Sequence, residues 1–345
     1  MKKRKTGGQE SLLKMLTSGK KEEFKRELRH RIQVKKPSRV LWALCRQLFM
    51  IGLGYVVLYP VLYMVSNAFK PVEQYWDPSV IWLPKSLTLE NFRIVGLVMD
   101  IGQVLWNTLL MEIIPALLST AVCMMVGYGL ARFDFRGKKL VTACVILTII
   151  VPPQTICTSL YSSYRYFDFL GILEGLEKLT GASLRPNLIG TVWVTLLPSL
   201  LAVGLKSGIF IFIYMQFFTG IPKELQEAAA IDGCGAFRTF LKIIVPTAQN
   251  IVISVTLLSV VWNWNDYYTP SMFIRVRDTM ATAMAAFKAN LENLHNTGVG
   301  IGSIQTANTQ IQAACLIAIV PLVILYVILQ KKFSEGIENS GLTGM

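Results

Sequence analysis

Apolar residues fall along this chain in long uninterrupted blocks, not in alternation with polar ones. Six blocks stand out, at 44–68, 104–131, 140–162, 187–218, 247–268 and 311–330. The first holds LFMIGLGYVVLYPVLYMV and the last AACLIAIVPLVILYVIL, both without a charge. A bilayer span needs about 20 mostly apolar residues, so each block is predicted to be a membrane helix. Only helices and closed barrels satisfy every backbone group in lipid, and continuous apolar runs are not barrel strands. The fourth block is too long for one perpendicular span, and Pro198 is expected to kink it. The predicted fold is therefore an all-α polytopic membrane protein with six transmembrane helices.

Composition agrees with that pattern. Of the 345 residues 53% are hydrophobic and 16% charged, against about 25% charged in soluble domains. The net charge of +13 raises the question of nucleic acid, but the placement of the charges argues against it. Fifteen of the 34 Lys and Arg lie at or before Arg46; four more lie between the second and third blocks, three in 219–246 and two after the last block. The alternate loops 70–103, 163–186 and 269–310 carry three each. That is 24 against 9, with Lys206 left inside a block. The positive-inside rule then puts both termini in the cytoplasm of a multi-pass plasma (inner) membrane protein. An even number of spans agrees, and no nucleic-acid partner is expected. No secretory signal is apparent, because no short apolar region with a cleavage site follows the basic start. The first apolar block is read as a retained anchor in the lipid bilayer.

Familiar catalytic patterns are missing. Cys45, Cys123, Cys144, Cys157, Cys234 and Cys315 form no CxxC pair, so neither a disulfide framework nor a metal site is expected. His30 and His295 fall in loops on opposite sides. There is no GxxxxGK[ST] phosphate loop, no HExxH and no GxSxG. These absences give no basis for an enzyme, and no cofactor is expected.

The informative segment lies between the fourth and fifth blocks, where residues 221–246 read IPKELQEAAAIDGCGAFRTFLKIIVP. Its punctuation describes helix, turn, helix. Pro222 suits a first helical position and Glu224 suits the positive end of the dipole. Asp232-Gly233 forms a stop, with Gly233 able to take the left-handed conformation. A second amphipathic helix is predicted with Phe237, Phe240, Leu241 and Ile244 on its apolar side, closed by Pro246. The small triplet Ala228-Ala229-Ala230 suits a helix lying in a groove of another protein.

Here the chain resembles a known family. Glu227-Ala228-Ala229, then Gly233, then Ile243 and Pro246 match the EAA motif of type-1 ABC importer permeases, with Val245 where leucine is usual. Trp82-Leu83-Pro84, Leu87-Thr88-Leu89-Glu90-Asn91-Phe92, Asn107-Thr108-Leu109, Gly127-Tyr128-Gly129-Leu130-Ala131-Arg132 and Phe333-Ser334-Glu335-Gly336-Ile337 resemble segments of the MalG-like carbohydrate permeases. The tail Gly341-Leu342-Thr343-Gly344 resembles that family's C-terminal segment. The resemblance covers most of residues 45–345, and the N-terminal 40 residues depart from it. It implies an ATP-driven importer in which the loop is a coupling hairpin, with Glu227, Ala228, Ala229, Asp232, Gly233, Ile243 and Pro246 meeting an ABC ATPase dimer on separate chains. It implies a second, related permease subunit, an extracytoplasmic solute-binding protein, and a carbohydrate, in particular an oligosaccharide, as substrate. The rival readings are an ATP-independent secondary transporter or channel, which would keep more ionisable residues in its spans, and a membrane scaffold or sensor.

The expected organisation is a basic cytoplasmic extension at 1–43, the first helix and outer loop at 44–103, a transport core at 104–330 and a cytoplasmic tail at 331–345. The extension is either a charged tail that sets topology or a surface that adheres to anionic lipid, with Leu12, Leu16, Phe24 and Leu28 as a weak apolar edge. Trp262, Trp264, Tyr267 and Tyr268 suit either an interfacial aromatic belt or a sugar-stacking site. Glu112, about 30 Å along a helix from Arg132, is expected at the outer surface. Lys206 stands near mid-membrane, where a lysine costs about 2.5–3.5 kcal/mol. Gly204 and Gly208 form a small-residue face, and Lys206 points the other way. It has either a polar partner inside a subunit contact or a place on the translocation path.

Overall fold

The computed structural model of the chain describes residues 37–80, 82–296 and 307–342. The basic extension up to residue 36 and the last residues of the tail, 343–345, lie outside it, as do the expectations attached to them. Among the described residues every regular element is helical. The chain forms two units, Met1–Tyr63 and Met64–Met345.

The first unit holds most of helix α1 (Pro37–Ala68). Its side chains are exposed and apolar on nearly every face from Leu41 to Leu62, as a helix surrounded by lipid must be. Tyr55, Tyr59 and Tyr63 run along one edge, with Tyr59 and Tyr63 stacked at 6.2 Å.

The second unit is built on α3, which runs from Ile101 to Arg132 and contains a π-helical turn at Leu109–Ile113. Before it comes the short α2 (Glu90–Met99), tied down by Asn91, whose Nδ2 donates to the Ala68 and Lys70 carbonyls at 2.9 and 2.8 Å. After it come α4 (Lys138–Ile150) and α5 (Pro153–Arg165), then α6 (Ile172–Thr180), α7 (Trp193–Leu200) and α8 (Ser207–Thr219). The predicted hairpin is α9 (Glu224–Ile231) and α10 (Ala236–Thr247). Helices α11 (Gln249–Trp264), α12 (Tyr268–Phe273), α13 (Met280–Asn296) and α14 (Ala307–Leu342) complete the unit.

Among the described residues three helices are long and apolar enough to cross a membrane: Leu41–Ala68 of α1, all of α3, and Ala307–Lys331 of α14. The other predicted spans are interrupted. The third block bends by 105° between α4 and α5, because Pro152 and Pro153 remove two backbone donors in succession. The fifth block starts after an 81° bend between α10 and α11. The fourth block was expected to kink at Pro198 but breaks instead. Helix α7 ends at Leu200, α8 begins at Ser207, and Ala202 between them holds φ 54°. A non-glycine residue in that region costs about 1–3 kcal/mol, so the break is held by its surroundings.

Among the described residues three apolar clusters organise the second unit, the smallest around Cys157, Val194 and Phe273; the other two are larger. One joins α2, α13 and α14 around Val95, Met280, Phe287 and Ala314. The other joins α3, α8 and the hairpin around Tyr128, Phe210, Tyr214, Phe218, Phe240 and Ile244. Among the described residues the α3–α8 contact is the most extensive pairing of elements. It depends on Gly127, where an added Cβ would stand 2.7 Å from the Tyr214 Cβ and 3.0 Å from the Ile211 carbonyl oxygen. On another side of α8, Gly208 meets α4, and a Cβ there would collide with Thr148. The predicted Gly204–Gly208 face is thus half realised, since Gly204 lies ahead of the helix in the break.

Candidate functional site

The hairpin of α9 and α10 is closed by a glycine turn. Helix α9 ends at Ile231, and Gly233 takes φ +76°. The Gly233 N–H donates to the Ala230 carbonyl at 3.0 Å and the Cys234 N–H to the Ala229 carbonyl at 2.9 Å, the paired bonds of a Schellman stop. A Cβ at Gly233 would meet nothing within 4 Å, so only the backbone angle selects glycine here.

Two groups at the end of α3 hold the hairpin. Gln226 Nε2 donates to the Tyr128 hydroxyl, and the Arg132 guanidinium donates to the Ile221 carbonyl. The Tyr128 ring packs on Phe240 at 4.8 Å and on Phe218 at 5.5 Å.

The structure divides the predicted hairpin residues by exposure. Glu227, Ala228, Asp232, Gly233 and Pro246 are exposed, Ile243 is half-buried and Ala229 is 2% exposed. Ala229 therefore faces into its own chain, and the outward small residues are Ala228 and Ala230. The second helix also differs from expectation. Phe240 and Ile244 are buried, but Phe237 and Leu241 point outward, because the π-helical turn at Phe240–Ile244 rotates one end of α10 against the other. Pro246 does not close the helix, which runs on to Thr247.

A second constellation sits at the break before α8. Lys206 occupies the N-cap position of α8, outside regular helix. Its Nζ donates to the Trp262 carbonyl at 3.1 Å and to Asp266 Oδ2 at 2.9 Å. Asp266 follows α11 and is further held by the Tyr268 and Thr269 N–H groups at 3.0 and 3.1 Å and by the Thr269 hydroxyl at 3.0 Å. Lys206 thus has a polar partner within its own chain.

Lys206 and Asp266 line a cavity of about 350 Å³, together with Glu112, Ser119, Asn263 and Phe210. The expectation for Glu112 was wrong. It is 3% exposed because the π-helical turn that carries it packs against α7 and α11, which cover that end of α3. Glu112 and Asp266 were both missed as site residues. An acidic residue inside the second apolar block was the available signal for Glu112. The four aromatics at the end of α11 are not part of the cavity wall. Trp264 Nε1 donates to the Ala318 carbonyl at 3.1 Å, and Trp262 lies 5.8 Å from Phe210, so both pack within the chain.

A helical membrane protein with a half-buried ion pair beside a cavity, and an exposed hairpin carrying the EAA pattern, belongs to the class of transport permeases. Residues 123–339 match the family described as binding-protein-dependent transport system inner membrane component, and the chain belongs to that family. It is the membrane-spanning permease subunit of an ATP-driven importer; the ATPase is a separate subunit, and the permease is not itself an enzyme. The family works with an ATPase, a partner permease and a binding protein.

Among relatives, the arabinooligosaccharides transport system permease protein AraQ of Halalkalibacterium halodurans is 26% identical over 85% of this chain and 93% of its own length. The melibiose/raffinose/stachyose import permease protein MelC of Bacillus subtilis is 28% identical over 78% and 86%. The maltodextrin transport system permease protein MalD of Streptococcus pneumoniae is 25% identical over 86% and 94%. A chain from the crystal structure of a bacterial ABC transporter involved in the import of the acidic polysaccharide alginate has the same fold. Its TM-score is 0.60 at 16% identity, covering 86% of this chain and 98% of that one.

Proposed function

We propose that this chain forms half of the translocation pathway for a carbohydrate, an oligosaccharide in particular, received from an extracytoplasmic binding protein. The names of the relatives support that substrate class. The other half is a related second permease. The chain passes the membrane six times, with the α7–break–α8 segment as the fourth pass and both termini cytoplasmic. The 24-to-9 charge asymmetry supports this topology.

The α9–α10 hairpin docks on the ATPase dimer through Glu227, Ala228, Asp232 and Gly233, while Ile243 and Pro246 set the angle of the second arm. Ala229 acts from within, by keeping α9 close to its own chain. Lys206 stands on the translocation path. The observation that carries the coupling role is an exposed helix with small outward residues ending in a glycine-only turn. Its neighbours on the same chain, Tyr128 and Arg132, hold it rigid.

The test is co-purification of the ATPase with the assembled membrane complex. Gly233→Val requires a β-branched residue at positive φ, and Ala228→Trp puts a large ring on the outer face. Both variants are expected to insert in the membrane and lose most ATPase binding. Normal ATPase binding by both would remove the hairpin from the coupling role.

A further inference from the structure

One buried carboxyl oxygen on the cavity wall has no donor. Glu112 is 3% exposed, and its Oε1 has no hydrogen-bond partner. Buried side-chain acceptors almost always find a donor, and an exception needs a cause. The neighbouring groups do not supply one. Asp266 is an acceptor already occupied by Lys206, Thr269 and the Tyr268 N–H. Lys206 spends two of its three N–H bonds on Trp262 and Asp266, which leaves one. The cavity wall thus carries an acceptor lacking a donor and a donor lacking an acceptor, and the cavity lies between apolar walls that include Phe210 and Phe273.

We infer that this cavity is a solute subsite within this subunit, shaped for a neutral hydroxyl-bearing ring, with Glu112 accepting from a solute hydroxyl and Lys206 donating to a solute oxygen. Lys206 and Asp266 already neutralise each other. A neutral polyol offers donor and acceptor on the same atom and satisfies both walls. Its carbon-bound faces meet apolar lining residues such as Leu147, Val151 and Val203. The volume, about 350 Å³, lies at the small end of ligand pockets, about 300–1,000 Å³, so the subsite takes a short stretch of a longer chain. The inference rests on the carbohydrate reading above.

The test uses the complete transporter with its partner permease, ATPase and binding protein in vesicles. Uptake of arabinotriose, maltotriose and raffinose is measured beside ATP hydrolysis and complex assembly. For whichever of these sugars the wild type transports, Glu112→Leu is expected to lower sugar moved per ATP hydrolysed about tenfold, since a site built to bond a hydroxyl fails without its polar group. Glu112→Gln keeps a carbonyl acceptor and is expected to stay within about threefold of the wild type. On the wild-type complex, dicyclohexylcarbodiimide, which attacks carboxyls in apolar surroundings, is expected to label Glu112, with labelling slowed by the transported sugar. Wild-type transport per ATP in Glu112→Leu, or equal loss in both variants together with lost assembly, overturns the inference. So does labelling that the sugar leaves unchanged, a result independent of whether any variant folds. If none of the three sugars is taken up but spermidine is, the carbohydrate reading fails and this inference falls with it.

Discussion

The hairpin of α9 and α10 and the break before α8 are both interruptions between apolar runs, yet they are specified in opposite ways. The hairpin is written locally. A glycine at positive φ, two paired backbone bonds and a run of small residues lie within a few positions of one another, and most of the outward face is exposed. The break is written at a distance. Lys206 is set by Asp266, 60 positions further on, and Glu112 comes from a third helix. The hairpin keeps its shape through its own backbone and offers its side chains to something outside. The break keeps its shape through a half-buried ion pair and offers its side chains to a cavity. A local device suits a surface offered to a partner, and a distributed one suits a site assembled from several helices.

The contrast fails most completely if the two regions cannot be separated, and Gly127 is where they meet. Gly127→Leu drives a side chain into the backbone of α8 at Ile211 and Met215. Overpacking of this kind costs about 1–3 kcal/mol and more where backbone must yield. Loss of the assembled complex is expected, by size-exclusion chromatography, with hairpin and cavity lost together. Normal assembly would mean that α3 and α8 do not pack as described.

Lys206→Met separates them. It strips one charged partner from Asp266, a change worth about 1.5–3 kcal/mol, and is expected to lower the melting temperature of the purified complex while ATPase co-purification persists. Adding Asp266→Asn to it should recover much of that temperature, because the unpaired charge is then gone. No recovery in the double variant would break the claim that the pair acts as a unit.

The smallest effect lies in the 163–186 loop, which belongs to neither region and serves as the control. Arg185 Nε stands 2.6 Å from Glu177 Oε2 as a close ion pair without hydrogen-bond geometry. Glu177 Oε1 accepts the Leu184 and Arg185 N–H groups at 2.8 and 3.1 Å. The Arg185 amide holds the Glu177 carboxyl below its usual range, with the Leu184 amide and the Arg185 charge adding to it against desolvation. A carboxyl depressed on folding contributes order that is complete above its ordinary value of about 4.3 and lost as pH falls through the depressed one. Hydrogen exchange at the Leu184 and Arg185 amides is therefore expected to be independent of pH protection effects near neutrality and to accelerate, beyond the chemical rate, only in acid. Glu177→Gln should show the acid behaviour at every pH, with transport unchanged.

Much of this architecture was legible in the chain. The second block became α3, and the blocks at both ends became the apolar stretches Leu41–Ala68 of α1 and Ala307–Lys331 of α14, with ends displaced by a few residues, while both helices run further than their blocks, α1 back to Pro37 and α14 on to Leu342. The Asp232-Gly233 stop was legible because backbone preference is local. What hydropathy misses is connectivity of hydrogen bonds. Pro152-Pro153 and the residues around Ala202 are apolar enough to extend a span, but they cannot continue its backbone ladder. Glu112 was misplaced for a related reason. Distance along a helix says how far a residue lies from one end, not which neighbours cover it. The inward turn of Ala229 is of the same kind, since a run of three alanines looks alike from every side. The ion pair was half legible, because the cost of a lone Lys206 demands a partner but does not name it.

Helix α8 is thirteen residues long, about 20 Å from end to end. One end is capped by Lys206, and the other carries Phe218 beneath the Tyr128 platform that supports the hairpin. Along its length it meets α3 at Gly127, where the Tyr214 side chain fills the gap, and α4 at Gly208, where the Thr148 side chain does. Such a segment is a short strut seated in two notches. It resists bending because it is helical and closely packed, and the side chains in the notches fix its register. The strut therefore joins the support of the hairpin at one end to the two bonds that Lys206 makes to Trp262 and Asp266 at the other.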